Sequence, residues 1–338
     1  MTKSFSHSAL ETYNQCGEKY RLWYMSDTPR PESRTVETIV GTCVHGILEI
    51  HYNNWKNGTK RPLADSIHEF WFDMLKKADL EGVHASLRDY HYRLQDVRRR
   101  ASKDYAGSDA IRTKDGSVSK SPHLTSAWTD ALKSSGLEAL REGIDWAAGE
   151  SDSQWTVASI CDTYSDVVTM LANYRDPYDI HTIEAVEFKI EHKYPVSGEP
   201  MVGFIDIVAR SPRGHLIIID HKTTSKPHRE SYKVEHHDQL LLYGWAYSKL
   251  TGQTPGYLGI NFIKNNSMVV GAFDMNLAER AIERREKRIA GINAGIFPIQ
   301  SPTEFGSPCW REYSRSGCPY LDLCHPEFAQ HVKAEFRA

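Results

Sequence analysis

Residues 201–223 read MVGFIDIVARSPRGHLIIIDHKT, and their reading decides the fold. Two apolar runs, 201–210 and 215–223, flank Ser211-Pro212-Arg213-Gly214, a sequence suited to a tight turn. The stretch therefore reads as a β-hairpin whose arms carry Asp206, Asp220 and Lys222. If Arg210 pairs with His215, Asp206 lies opposite Ile219, and the two acids point to different faces. A bulge or a one-residue change in loop length would set them directly opposite each other. Asp220 and Lys222, two residues apart on a strand, share a face.

Working outward, residues 182–194 (TIEAVEFKIEHKY) alternate as a half-buried strand does. Downstream, the pattern predicts a helix from about His236 to Leu250, then strands 257–264 and 268–274 joined at Asn265-Asn266. A charged helix, 276–294, leads into an irregular cysteine-bearing tail. Upstream, a first helix starts at Ser8, with Ser8 and Glu11 as a capping box and Cys16 on the helix. A Pro/Ser/Arg-rich loop at 26–35 follows, then helices over Thr42–Trp55, 63–80, 123–148 and 158–174. Residues 94–121 are basic and polar with Gly and Ser, which predicts an exposed, mobile stretch. No internal repeat is present. Helices, three strands, a helix, two strands and a helix make an α/β (α+β) core preceded by a helical insertion.

The chain has 338 residues and a net charge of −3, which excludes a uniformly basic nucleic-acid binder but allows a local basic groove beside an acidic site. It contains no apolar run of about 18 residues, and its start, MTKSFSHSALETYNQ, lacks a signal-peptide core. A cytoplasmic protein with no membrane partner is expected. Six cysteines in that compartment are not expected to form disulfides.

Phosphodiester hydrolysis needs the groups that the hairpin carries. Carboxylates are hard ligands for Mg²⁺ or Mn²⁺. Such an ion polarises a phosphate and steadies the leaving oxygen, and an ammonium offsets charge on the reacting oxygens. On spacing alone, Asp-x-Lys at a strand end is more often a salt bridge. His45, in Gly41-Thr42-Cys43-Val44-His45, is a candidate metal ligand or a structural histidine. Glu187 alternates in phase with Lys189 and Glu191, as on an exposed face. Gln239 and Tyr243 share one face of their helix, placed for a phosphate or base contact or for packing.

Arg98, Arg99, Arg100 and Lys103 are candidate DNA-backbone contacts, with Tyr90, Tyr92 and Tyr105 as stacking partners for unpaired bases. The run RREKR at 284–288 reads more plainly as a solvated helix face. Cys309-x8-Cys318-x5-Cys324, with Cys16 far upstream, offers four thiolates: a set for a [4Fe–4S] cluster, a structural Zn²⁺ or four free thiols. Cys43 and Cys161 read as small buried hydrophobes.

Taken in order, Ser6-x-Ser8-x-Leu10 with Tyr13 and Cys16, Gly41-x-x-x-His45, Gly203-Phe204-Ile205-Asp206, Ile219-Asp220-His221-Lys222-Thr223, Gln239-x-x-x-Tyr243 and the terminal cysteines resemble the RecB-like branch of the PD-(D/E)XK nucleases. That branch includes CRISPR-associated RecB-like and AddB-like exonucleases. Residues 56–180 carry no motif of it. The resemblance implies a restriction-endonuclease-like core with a mixed sheet flanked by helices. It implies metal ligation by His45, Asp206 and Asp220, a catalytic Lys222, Gln239 and Tyr243 near DNA, and Glu187 as a further member.

It also implies a structural [4Fe–4S] cluster on Cys16, Cys309, Cys318 and Cys324, although the family's Cys-x2-Cys-x5-Cys is here opened to eight residues in its first gap. The corresponding division is 1–30 with one cluster cysteine, a helical region 36–180 with His45, the nuclease core 181–298, and the cluster segment 299–338. The implied activity is a Mg²⁺- or Mn²⁺-dependent DNA exonuclease acting on single-stranded ends, in repair, recombination or phage or CRISPR DNA processing. A helicase, recombination or CRISPR adaptation partner goes with it. The alternative is an inactive, nuclease-like DNA-binding subunit.

Overall fold

The computed structural model describes residues 4–29, 36–77, 82–107, 134–149, 160–172, 174–177, 180–224, 234–304, 307–311 and 316–335. Its centre is a mixed five-stranded sheet in the order β1-β2-β3-β4-β5. The strands are β1 (Thr182–Lys193), β2 (Pro200–Arg210), β3 (Leu216–Lys222), β4 (Tyr257–Phe262) and β5 (Ser267–Ala272). All neighbours are antiparallel except β3 and β4, which run parallel and are linked by a helix, as a parallel pair requires.

Helices cover both faces. On one lie α3 (Val36–Lys56), α4 (Leu63–Lys77), α5 (Val83–Gly107), α6 (Leu137–Gly149) and α7 (Ile160–Leu171). On the other lie α1 (His7–Gln15), α2 (Gly17–Tyr24), α8 (Asp238–Thr251) and α9 (Met275–Asn293). The tail adds a short ladder, β6 (Trp310–Arg311) with β7 (Ser316–Gly317), and α10 (Leu321–Cys324) and α11 (Pro326–Glu335). Strand β3 explains its unbroken apolar run: Ile217 and Ile219 pack on the α3 side, while Leu216 and Ile218 pack on the α8 side. Among the described residues no helix is long and apolar enough to cross a membrane.

Several expectations are corrected. The hairpin pairs Arg210 with Leu216 rather than with His215. His215 belongs to the loop, where its carbonyl accepts from the Ser211 N–H at 2.9 Å. That extra loop residue brings Asp206 and Asp220 to one level. Ser6, not Ser8, caps α1, its hydroxyl accepting from the Ala9 N–H at 3.2 Å. Cys16 is not inside that helix; extended at φ −162°, it ends α1 and caps α2.

Residues 94–107, expected to be exposed and mobile, form the second half of α5; 108–121 lie outside the described residues, as do 30–35 and 123–133. Helix α5 itself was not anticipated, and α3 begins six residues earlier than the pattern predicts. The run 284–288 is solvated only in part: Arg284 and Lys287 are exposed, whereas Arg285 and Glu286 are buried. Arg285 is fully buried and donates to the carbonyls of Ala281 and Asp238, at 3.1 and 2.8 Å, with His7 Nδ1 3.1 Å away. Arg284 pairs with Asp238 at 2.6 Å, and Arg288 lies 3.6 Å from Glu11.

Candidate metal centre

The site forms where the hairpin strands part. Pairing between β2 and β3 stops at Ile207↔Ile219, so the next two residues, Asp206 and Asp220, stand at the mouth of the gap. The Asp206 carboxylate takes over the ladder's role there: its Oδ2 accepts the His221 backbone N–H at 2.7 Å. The same oxygen lies 3.5 Å from His45 Nδ1 on α3.

Side-chain alternation slips at this level. Ile205 and Ile207 are two apart yet pack on opposite faces of the sheet, and so do Phe188 and Val186 on β1. Between the latter pair sits Glu187, with a left-handed φ of 47°. For a residue with a Cβ that conformation costs of order 1–3 kcal/mol and persists only where surrounding packing imposes it. The outcome is a Glu187 carboxylate turned inward, although its neighbours Lys189 and Glu191 pair with each other on the exposed face. Ligand atoms of His45, Glu187 and Asp206 all lie within 4.8 Å of one another. One imidazole and two carboxylates are a donor set that fits Mg²⁺ or Mn²⁺.

Asp220 is almost fully buried and lies outside that group of three. Its Oδ2 is 2.8 Å from Lys222 Nζ. From the lysine a chain runs onto α8: Lys222 donates to Gln239 Oε1 at 3.2 Å, and Gln239 donates to the Tyr243 hydroxyl at 3.0 Å. Tyr243 reaches β2 because residue 203 is glycine; a Cβ there would meet the ring at 3.2 Å.

The electrostatics are those of crowded acids. Burial, then the charges of Asp206 and Glu49, push Glu187 up to about 7. Burial and Asp206 push Asp220 up to about 6, against the pull of Lys222. Asp206 stays below the ordinary carboxylate range: burial pushes it up, but His45 and His221 outweigh that. Burial depresses His45, yet the Asp206 hydrogen bond and the charges of Asp206, Asp220 and Glu187 leave it above the usual histidine range.

The four cysteines converge from both ends of the chain. Cys16 Sγ is 3.9 Å from the Pro298 carbonyl, and the Cys318 N–H donates to the Cys309 carbonyl at 2.8 Å. Burial raises the Cys309 thiol, and the charges of Cys16 and Cys318 add to it. Burial pushes Cys324 up to about 11, with contributions from Glu18, Cys318, Cys16 and Cys309. Cys43 and Cys161 are buried. Burial pushes Cys43 up to about 12.

Arg99 and Arg100 are exposed and both pair with Asp96 on their own helix. Tyr90 is buried and Tyr92 exposed. The side chains of Lys103 and Tyr105 lie outside the described residues.

Sequence reading missed the polar residues that surround the centre from behind: Tyr52, Tyr174, Asp176, Asn261 and the ring of His221. An Asn in the apolar run YLGINF and a His between Asp220 and Lys222 were the available signals. No curated protein matches the chain. The family model described as the PD-(D/E)XK nuclease superfamily matches residues 4–325. With acids from adjoining strands, a lysine two residues beyond the second of them and a mixed sheet between helices, the chain belongs to the PD-(D/E)XK nuclease superfamily, whose nucleases use divalent metals.

Proposed function

We propose that this chain is a Mg²⁺- or Mn²⁺-dependent DNA exonuclease of the RecB-like branch, acting on single-stranded ends. The observation that carries the reading is the meeting of His45, Glu187 and Asp206 beside the Asp220–Lys222–Gln239–Tyr243 chain. In this reading His45, Asp206 and Asp220 hold the cation, with Glu187 as a further ligand. A cation held by these residues would polarise the scissile phosphate and steady the leaving oxygen. Lys222, held by Asp220 and Gln239, orients the attacking water or offsets charge on the phosphate oxygens. Gln239 and Tyr243 fix the lysine and face the DNA. Arg98, Arg99, Arg100 and Lys103 contact the backbone, with Arg99 and Arg100 exchanging Asp96 for phosphate.

The test uses 5′- and 3′-labelled oligonucleotides, single- and double-stranded, with Mg²⁺, Mn²⁺ or chelator. Metal-dependent shortening of single strands from an end supports the reading. Uncut DNA under every metal condition overturns it.

The acid pKa values set a pH dependence. Glu187 and Asp220, raised to about 7 and about 6, bind a proton that a cation must displace. Mn²⁺ affinity is expected to climb between pH 5 and about pH 7 and to level off above, with net proton release measurable by calorimetry in buffers of different ionisation enthalpy. The linkage to stability has the opposite sign. Above the unfolded pKa the folded metal-free protein holds the proton more tightly than the unfolded chain, so Glu187 destabilises the fold as pH rises toward 7. Added metal is expected to remove that loss.

We further propose that Cys16, Cys309, Cys318 and Cys324 hold a [4Fe–4S] cluster that joins the first two helices to the tail. The support is the convergence of thiols from segments nearly three hundred residues apart. Within this arrangement 1–30 and 299–338 act as one cluster unit around a nuclease core at 181–298, with the helical region 36–180 supplying His45. Protein purified without oxygen is expected to be brown, with about four irons per chain. A colourless protein with one zinc contradicts it.

A further inference from the structure

We propose that Tyr52, Tyr174 and Asn261 are positioning residues for the metal centre, fixing the height at which α3 holds His45 over Asp206. The inference rests on reading His45, Glu187 and Asp206 as a cation site.

His45 and Tyr52 are seven residues apart on α3, two helical turns, and so share one face of it. Between them and the sheet lies the ring of His221. Tyr52 stacks on it at 5.7 Å with an interplanar angle of 16°, and His45 meets it edge-on at 6.2 Å. The same His221 gives its backbone N–H to Asp206. One residue thus touches two of the ligands, His45 through its ring and Asp206 through its amide.

Behind His221 runs a buried polar chain. Asn261, its register partner on β4, places Nδ2 3.4 Å from His221 Nδ1 and donates to the Tyr174 hydroxyl at 3.2 Å. Tyr174 is hydrogen-bonded to Tyr52, and the charge of Asp176 acts on both hydroxyls. Asp176 is held in turn by His51 Nε2 at 2.8 Å and Lys60 at 3.0 Å.

Asn261 donates to Tyr174, and in the Tyr52–Tyr174 bond either hydroxyl can donate. The Tyr174 hydroxyl sits between Asn261 and Tyr52, so the chain ties β4 to α3. Phenylalanines would fill this core without the cost of burying polar groups; the hydroxyls add geometric specificity instead. A slide of α3 by one residue, about 1.5 Å, would break the Tyr52–Tyr174 bond, unstack Tyr52 from His221 and carry His45 off Asp206.

The test measures Mn²⁺ affinity of the full chain by electron paramagnetic resonance of the free ion, beside thermal melting and nuclease turnover. Tyr52→Phe and Tyr174→Phe keep the rings and remove the hydroxyls. Each is expected to weaken Mn²⁺ binding about tenfold, the low end of the ~10–100-fold range for groups behind a metal ligand. The double variant is expected to be no weaker than the worse single one, because both cut one chain. Turnover at saturating Mn²⁺ is expected to stay within about twofold of the parent.

Leu94→Ala, in the same helical layer, serves as the control that lowers the melting temperature without moving Mn²⁺ affinity. Wild-type Mn²⁺ affinity in both phenylalanine variants overturns the proposal, and so does a parent chain that binds no Mn²⁺. A parent that binds Mn²⁺ but cuts no DNA defeats the nuclease reading alone, since the affinity comparison still decides the positioning role.

Discussion

Lys222→Met is expected to lower DNA cleavage by about 10²–10³-fold, the loss typical of removing one preorganised donor from a developing oxyanion, while the protein remains folded. The ammonium sits 2.8 Å from Asp220 and 3.2 Å from Gln239, so its position is fixed before any substrate arrives. It is also about one-third exposed, and methionine can follow the path of its alkyl stem. The lost interaction belongs to the reaction rather than to the core. Asp206→Asn is expected to cost at least as much. The amide oxygen can still accept the His221 N–H, which keeps β2 and β3 together, but the charge that holds His45 and would hold a cation is gone. Initial-rate assays on end-labelled single strands, with circular dichroism as the fold control, check both. Parent-like rates in either variant would remove these residues from the chemistry.

Arg285→Ala is expected to destabilise the fold by about 3–5 kcal/mol, the range for breaking a buried charged network by removing one partner. Arg285 has no exposure, and its guanidinium ties α9 to the start of α8 and to His7 on α1. Truncation would leave the Asp238 carbonyl and His7 without that donor and open a cavity under three helices. Arg285→Met fills most of the volume with a side chain that needs no partners, and is expected to cost about 2 kcal/mol less than alanine. Chemical denaturation of the two variants separates the explanations. Equal losses would mean that volume is irrelevant and the hydrogen bonds carry the whole effect, while a harmless Arg285→Ala would contradict the structural reading.

The core was legible because its signals are local and periodic. The apolar run before Asp220 reads as one arm of a hairpin and forms β3, and the charged stretch 276–294 reads as a helix and forms α9. Tertiary context decided the rest. The hairpin register turned on whether His215 pairs, a one-residue question that composition does not answer. Glu187 looked exposed because strict alternation places it with Lys189, and only the left-handed backbone at that one residue turns it inward. Arg285 looked solvated because charge runs normally are; its partners, His7 and Asp238, lie 278 and 47 residues away. Helix α5 escaped notice because its second half is dense in Arg, Lys and Asp, which also describes an unstructured segment. The Asn261–Tyr174–Tyr52 chain spans three separate stretches of sequence and becomes visible only when β3 lies beside β4.

The most direct measurement is anomalous scattering from a crystal soaked in Mn²⁺. The account predicts a peak in the gap between β2 and β3, within bonding distance of the His45 imidazole and the Asp206 carboxylate, and its loss in Asp206→Asn. An empty gap at Mn²⁺ concentrations that support cleavage, or a peak bound elsewhere and unaffected by that substitution, would contradict it.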